Sequence, residues 1–158
     1  MVAVEPPRRI RHDDPLDKFT CGNPALDEWL AKHASRAEKA RTAITYICAS
    51  EAGVAGYYSL CGHSIRRNDV GGGWLARNTP NPIPAVLLAR LAVGKSFQGQ
   101  GLGWSLLQHA VLICERAAEL IGLRALVVDP IDAAAASFYE HFGFRAFPGN
   151  PDRMFIKL

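Results

Sequence analysis

Apolar and polar positions follow two different periods along the first half of the chain. Helical spacing begins at Asn23-Pro24, where Asn suits the cap and Pro the first turn of a helix. The residues that recur at helical spacing after this start are Leu26, Trp29, Leu30, His33 and Ala37. Residues 42–49 are rich in β-branched and aromatic side chains and predict a strand, and residues 54–65 predict the antiparallel strand that returns after a turn. Residues 8–11 are expected to form a short first strand or the segment that leads into one.

The second half predicts alternating strands and helices. Residues 85–93 are nearly all apolar, which is typical of a strand buried on both faces. The next helix should cover residues 102–121, ended by Gly122, with an apolar face formed by Leu102, Leu106, Ala110, Ile113, Ala117 and Ile121. A strand at 124–129 and a helix at 133–142 follow, and Gly143 ends that helix. The final strands are expected at 144–147 and 154–158, and residues 66–84, with Gly71 to Gly73, form a long loop.

This order predicts an α/β fold in which helices flank a mixed central β-sheet. The unit over residues 85–129 is a strand, a helix and a parallel strand, whereas the hairpins are antiparallel. A length of 158 residues predicts one domain covering 1–158. The sequence contains no run of 18 apolar residues and no apolar signal segment near its start, so we expect a cytoplasmic protein without a membrane span.

The net charge and the cysteine content say little about which partners or reactions the protein has. A net charge of +3, with basic residues concentrated in the first 90 positions, permits a polyanionic partner without requiring one. The four cysteines are far apart and form no C-x-x-C pair, so neither zinc nor any other bound metal is expected. We interpret them as reduced and mostly buried, and a nucleophilic cysteine remains an open alternative.

A glycine-rich turn separates the apolar strand from the long helix. Its residues are Gln98, Gly99, Gln100, Gly101, Leu102 and Gly103. Strand, glycine turn and helix in this order direct backbone N–H groups and the positive end of a helix at one small volume, which suits a phosphate group. The glycine spacing fits neither the dinucleotide fingerprint nor the P-loop.

The turn, together with a second motif downstream, resembles the GNAT N-acetyltransferases. Gln98-x-x-Gly101-x-Gly103 matches their acyl-coenzyme A turn, and Asp132-x-x-Ala135-x-x-x-Tyr139 before Gly143-Phe144 matches a second signature, with Asp where Asn is usual. The resemblance implies that acetyl-CoA binds through its pyrophosphate at residues 98–103. It also implies that Leu91, Ala92 and Val93 pair with the pantetheine arm, and that Tyr139 is the general acid. Asp132 has two interpretations, a helix N-cap and a coenzyme A contact.

The acceptor amine must be neutral to react. A lysine amine is neutral in fewer than about one molecule per thousand at pH 7, whereas an α-amine is neutral in roughly a tenth. Because strand 85–93 contains no carboxylate and no histidine, the sequence favours an α-amine substrate. His63, His109, a loop residue or a water chain could still serve as a base.

Further blocks resemble one GNAT subgroup, the toxins of bacterial type II toxin–antitoxin modules. These blocks are Phe19-x-Cys21-Gly22-Asn23-Pro24, Gly56-Tyr57-Tyr58-Ser59-Leu60, Pro82-Ile83-Pro84 and Leu88-Ala89-Arg90-Leu91. The resemblance implies acetylation of the α-amine of aminoacyl-tRNA and neutralisation by a ribbon–helix–helix antitoxin. It further implies operator DNA binding only through the antitoxin complex, and a possible homodimer.

Arg90, beside the donor strand, is then a candidate substrate contact. Two alternatives stay open: a GNAT enzyme acting on a small amine or a protein N-terminus, and a non-catalytic module that binds coenzyme A or nucleic acid.

Overall fold

A computed structural model describes residues 2–71, 73 and 76–158 of the chain. The strands are β1 (Arg8–Arg9), β2 (Ile44–Ser50), β3 (Gly53–Ile65), β4 (Ile83–Val93), β5 (Ala125–Val128), β6 (Arg145–Phe147) and β7 (Asn150–Lys157). The helices are α1 (Pro24–Lys32), α2 (Ala34–Ala40), α3 (Arg67–Val70), α4 (Leu102–Leu120) and α5 (Ala133–Phe142). The predicted glycine run 71–73 lies partly outside the described residues. Of the described helices, none is long and apolar enough to cross a membrane.

The strands form one mixed sheet in the order β1-β2-β3-β4-β5-β7-β6. The hairpin β2–β3 is antiparallel, with Ile44 opposite Leu60. The pair β4–β5 is parallel, with Ala85 opposite Ala125 and Leu88 opposite Val128. Strand β7 pairs antiparallel with both β5 and β6. The predicted α/β class, the parallel crossover and the antiparallel hairpins are therefore confirmed.

The chain divides into two compact units. The first comprises the residues up to Cys61 together with Ala89–Ala110, and the second comprises Gly62–Leu88 together with Val111–Leu158. The core of the first unit contains Leu16, Phe19, Leu30, Ala34, Ile47, Val54, Tyr57 and Ala92. The core of the second contains Ile65, Val70, Ala76, Ile83, Ala85, Ala125, Val127 and Phe147. That a single domain spans 1–158 stays a prediction.

The predicted first helix is two helices. Its start is confirmed, because the Asn23 side chain accepts a hydrogen bond from the backbone N–H of Ala25 at 3.1 Å. The prediction of one continuous helix through Ala37 is wrong. His33 leaves helical geometry, with φ −121° and ψ −25°, and α2 begins at the next residue. The break lets Ala34 join the core of the first unit.

Three further expectations need correction. Strand β4 begins at Ile83 and is not buried on both faces, because Ala89, Arg90, Leu91 and Val93 are half-buried. The predicted loop contains the short helix α3. The buried positions of α4 are Leu106, Leu107, Ala110 and Cys114. Ile121 is 63% exposed and lies just past the end of α4, so the predicted apolar face does not extend to it.

Candidate functional site

The end of β4 is fixed by backbone hydrogen bonds within the first unit. The N–H of Gly94 donates to the carbonyl of Ala55, and the N–H of Lys95 donates to the carbonyl of Thr20, each at 2.8 Å. The parallel ladder with β5 ends at Leu88, so the five residues that follow in β4 extend beyond it. Leu91, Ala92 and Val93 lie in this extension. Their backbone edge is where an extended ligand could add as a strand.

Gln98 ties the glycine turn to the rest of the first unit. Its side-chain Nε2 donates to the carbonyl of Val93 and to the carbonyl of Cys21, both at 2.9 Å. One amide group therefore connects the turn to the end of β4 and to the segment that precedes α1. Gln98 consequently acts by positioning the turn, a role that its place in the motif alone does not reveal.

The turn residues adopt a conformation that suits an anion. Gly99 and Gly101 have φ of +78° and +81°, the left-handed region that favours glycine. A Cβ built on either would meet no atom within 4 Å, so their backbones border open space. Helix α4 begins at Leu102 and continues through Gly103, and the N–H groups of a first helical turn lack intrahelical partners. Gln100 donates to the carbonyl of Ser96 at 3.5 Å. The open space beside Gly99 and Gly101 and the free N–H groups at the start of α4 fit a pyrophosphate.

Arg90 is held by residues that the sequence pattern did not connect to it. Its guanidinium carbon lies 3.8 Å from the centre of the Trp29 ring, and Nη1 lies 3.4 Å from the hydroxyl of Ser59. Trp29 in turn stacks on Tyr57, with ring centres 6.2 Å apart. Burial lowers the pKa of Arg90, and among the described residues no carboxylate pairs with it. The result is a half-buried cation oriented by an aromatic ring.

Tyr139 lies on α5, in the second unit, and is 7% exposed. Its ring contacts Phe138 and Phe144, each with ring centres 5.3 Å away. Burial raises the pKa of Tyr139 to about 12, so the phenol stays protonated at neutral pH. Its hydroxyl has no hydrogen-bond partner in the described part of the chain. The ring is thus a packing element, and the hydroxyl remains available as a donor.

Asp132 caps helix α5. Its Oδ1 accepts a hydrogen bond from the N–H of Ala135 at 2.7 Å, which confirms the N-cap prediction. The coenzyme A contact stays a prediction. Gly143 ends the helix with φ +122°, and the N–H of Phe144 donates to the carbonyl of Tyr139. Both ends of the helix that carries Tyr139 are therefore defined.

Each unit contains one of the two histidines considered as bases. His109 Nδ1 lies 2.6 Å from the hydroxyl of Tyr58 in the first unit. His63 Nε2 lies 2.7 Å from Nη1 of Arg153 in the second, and burial together with that guanidinium lowers the pKa of His63. His63 is therefore neutral at pH 7, with its Nε2 accepting from Arg153. The identity of a base stays open.

The cysteines are poorly suited to nucleophilic chemistry. Burial raises the pKa of Cys48 to about 11 and that of Cys114 to about 12. Cys21 and Cys61 are half-buried, and burial raises their pKa values too. All four are thus thiols rather than thiolates at neutral pH. Among the described residues, no group of three or more His, Cys, Asp or Glu side chains could hold a metal ion.

Residues 41–146 match the family model of the acetyltransferase (GNAT) domain. The chain belongs to the GNAT acetyltransferase family. The match includes β4, the glycine turn and the Tyr139 helix, so the motifs that first suggested this family lie inside it.

Three relatives extend the comparison over the whole chain. A tRNA-acetylating toxin of Mycobacterium tuberculosis is 38% identical over 158 residues, covering 100% of this chain and 95% of the toxin. AtaT complexed with acetyl-methionyl-tRNAfMet superposes with a TM-score of 0.88 at 30% identity, covering 96% of this chain and 93% of that one. The AtaT Y144F mutant toxin, bound to acetyl-CoA and the C-terminus of the antitoxin AtaR, gives 0.80 at 31% identity, covering 96% and 91%.

Proposed function

We propose that this GNAT protein is a toxin that transfers the acetyl group of acetyl-CoA to the α-amino group of aminoacyl-tRNA, which blocks translation. The observation that carries the proposal is the 38% identity, over the whole chain, to a tRNA-acetylating toxin. The similarity to AtaT in complex with an acetylated aminoacyl-tRNA supports the same substrate class.

Strand β4 and the glycine turn hold acetyl-CoA, the acetyl donor. The backbone N–H groups around Gly99 and Gly101, with the first turn of α4, bind the pyrophosphate, and the segment Leu91 to Val93 pairs with the pantetheine amides. The N–H near Val93 is then a candidate donor to the developing oxyanion. Gln98 keeps strand and turn in register through its bonds to Val93 and Cys21.

Tyr139 is the proposed general acid for the departing thiolate. With a pKa of about 12, Tyr139 is a weaker acid than an exposed thiol, whose pKa is near 8.5. Because burial keeps this phenol protonated, Tyr139 can donate a hydrogen bond to the departing sulfur and pass it the proton as the carbon–sulfur bond breaks.

The acceptor amine needs little help from the protein. An α-amine has a pKa near 8, so a substantial fraction is neutral at physiological pH and can attack the thioester carbonyl. Strand β4 carries no carboxylate or histidine, which agrees with a substrate of this kind. Arg90, held by Trp29 and Ser59, is proposed to contact the anionic part of the tRNA substrate.

The proposed macromolecular partners rest on the similarity of this chain to GNAT toxins. We propose neutralisation by a cognate antitoxin, as AtaT is found bound to the C-terminus of AtaR. A ribbon–helix–helix antitoxin, operator DNA bound only through the complex, a homodimer and a cytoplasmic site of action complete the proposal. These rest on the sequence resemblance to the toxin subgroup.

The test is acetyl transfer with labelled acetyl-CoA and three acceptors: charged tRNA, deacylated tRNA and peptides with free N-termini. We expect label on charged tRNA alone. Label on the peptides but not on tRNA would replace this function with protein N-terminal acetylation.

A further inference from the structure

Basic residues of the first unit surround a groove between α2 and the segment that follows β1. The groove has a volume of about 270 Å³ and is lined by Ile10, Arg11, His12, Ser35, Glu38 and Lys39. Resting on the proposed function, we infer that this groove binds backbone phosphates of the tRNA, away from the reacting amine.

Charge is concentrated around this groove. Residues 8–14 and 33–41 contain six Lys or Arg residues and three Asp or Glu residues, a net charge of +3 that equals that of the whole chain. The other residues of the chain sum to zero net charge, so these two segments are the part of the chain whose net charge favours a polyanion.

Two of the three acids are already engaged by other groups. Both oxygens of Asp14 accept from the Arg8 guanidinium, at 2.8 and 3.0 Å, and Oδ2 also accepts from the N–H of Arg11. Glu38 accepts from Nε of Arg9 at 2.6 Å and from the N–H of Thr45 at 3.0 Å. The third acid, Asp13, is exposed. The carboxylate that lines the groove is therefore neutralised within the protein.

Of the six basic residues in these two segments, Arg8 and Arg9 form ion pairs with acidic residues. Arg11, Arg36, Lys39 and Arg41 are exposed and form no ion pair within the described residues. Arg11 and Lys39 line the groove from opposite sides, and His12 and Ser35 add hydrogen-bond donors. Such hydrogen-bond donors bind phosphate oxygens of a nucleic acid independently of its nucleotide sequence.

Strand β1, which leads into the groove, is three strand positions from β4, the strand that carries Arg90. In the sheet order, β1 is separated from β4 by β2 and β3. Three strand spacings correspond to about 14 Å. A tRNA whose end reaches β4 can thus place a phosphate several nucleotides away against Arg11 and Lys39.

The test compares two double variants that each remove two positive charges from the full chain. Arg11→Gln with Lys39→Gln alters the groove, and Arg116→Gln with Arg145→Gln removes two exposed charges of the second unit. The affinity for charged and for deacylated tRNA is measured over a range of salt concentrations. Acetylation of an amino acid methyl ester, which carries no phosphate, reports on the reaction site.

We expect the groove variant to bind both tRNAs about 10- to 20-fold more weakly at about 0.15 M salt, with the slope of log K against log salt reduced by about two. The control variant should match the wild type, and ester acetylation should be the same in all three proteins. Equal loss in both variants, or none, would overturn the inference. Unchanged tRNA affinity with weakened antitoxin binding would instead assign the groove to the antitoxin.

The proposed function is judged separately. If the wild type acetylates no charged tRNA, that proposal fails, whereas the groove is still tested by the affinity for deacylated tRNA.

Discussion

The side-chain amide of Gln98 donates to the carbonyl of Val93 across 2.9 Å, and so connects the glycine turn to the strand proposed to bind pantetheine. The same nitrogen reaches the carbonyl of Cys21. Two segments that we propose bind different parts of acetyl-CoA are thereby held in a fixed relationship.

We expect Gln98→Ala to weaken acetyl-CoA binding by about 1–2 kcal/mol, or roughly 5- to 30-fold, because both hydrogen bonds disappear. Gln108→Ala on α4 is the control, since Gln108 is exposed and its side chain forms no hydrogen bond within the described residues. Calorimetric titration with acetyl-CoA measures both. Equal affinities for the two variants would contradict the positioning role.

Gly101→Ala should be strained, because φ of +81° costs a residue with a Cβ about 1–2 kcal/mol. The added methyl would also project into the space where the phosphate is expected. The melting temperature and acetyl-CoA affinity should both fall. Gly122→Ala, at an open position without positive φ, should change neither. Normal acetyl-CoA binding by Gly101→Ala would argue against the turn as the phosphate site.

Much of this site was predictable from the sequence because its signals are local. Asn23 and Asp132 cap the helices that follow them, and Gly143 ends α5, as expected. The break at His33 was missed because the apolar spacing continues across it. The Trp29–Arg90 contact joins residues far apart in sequence, and no periodic pattern reports such a pair.

Trp29→Leu should release Arg90 while leaving the donor site intact. Losing the cation–π contact costs about 0.5–2 kcal/mol. We expect a higher KM for charged tRNA and an unchanged KM for acetyl-CoA, whereas Trp29→Phe keeps a ring and should lie closer to the wild type. Steady-state kinetics with each substrate varied checks this. A rise confined to acetyl-CoA would contradict the assignment of Arg90 to the tRNA.

The pH dependence of transfer should reflect the raised pKa of Tyr139. A general acid must be protonated, so activity is lost only as the pH rises through its pKa, here about 12. The rate should therefore increase as the α-amine deprotonates near pH 8 and then stay level past pH 10, the ordinary pKa of a phenol being about 10. A fall centred near pH 10, absent from Tyr139→Phe, would show an unshifted phenol.

Arg153 should stabilise the fold in an acid-sensitive way. Its guanidinium holds the pKa of Asp129 below the ordinary value. A lowered pKa gives stability that is present above the unfolded-state pKa, about 3.9, and is lost as the pH falls through the folded-state value. Arg153→Gln should thus be less stable than the wild type at pH 7, and the difference should shrink in acid. Urea unfolding at several pH values measures it; a pH-independent difference would contradict this origin.

The central claim is that acetyl is placed on the α-amine of aminoacyl-tRNA with Tyr139 as the acid. In the most direct measurement, charged tRNA is incubated with the wild type or with Tyr139→Phe and is then digested with ribonuclease. The mass of the terminal aminoacyl-adenosine is determined by mass spectrometry. We predict one added acetyl group on the aminoacyl moiety with the wild type, and a rate about 10²- to 10⁴-fold lower with the variant despite intact acetyl-CoA binding. An unmodified aminoacyl-adenosine with the wild type, or equal rates for the two proteins, would contradict the account.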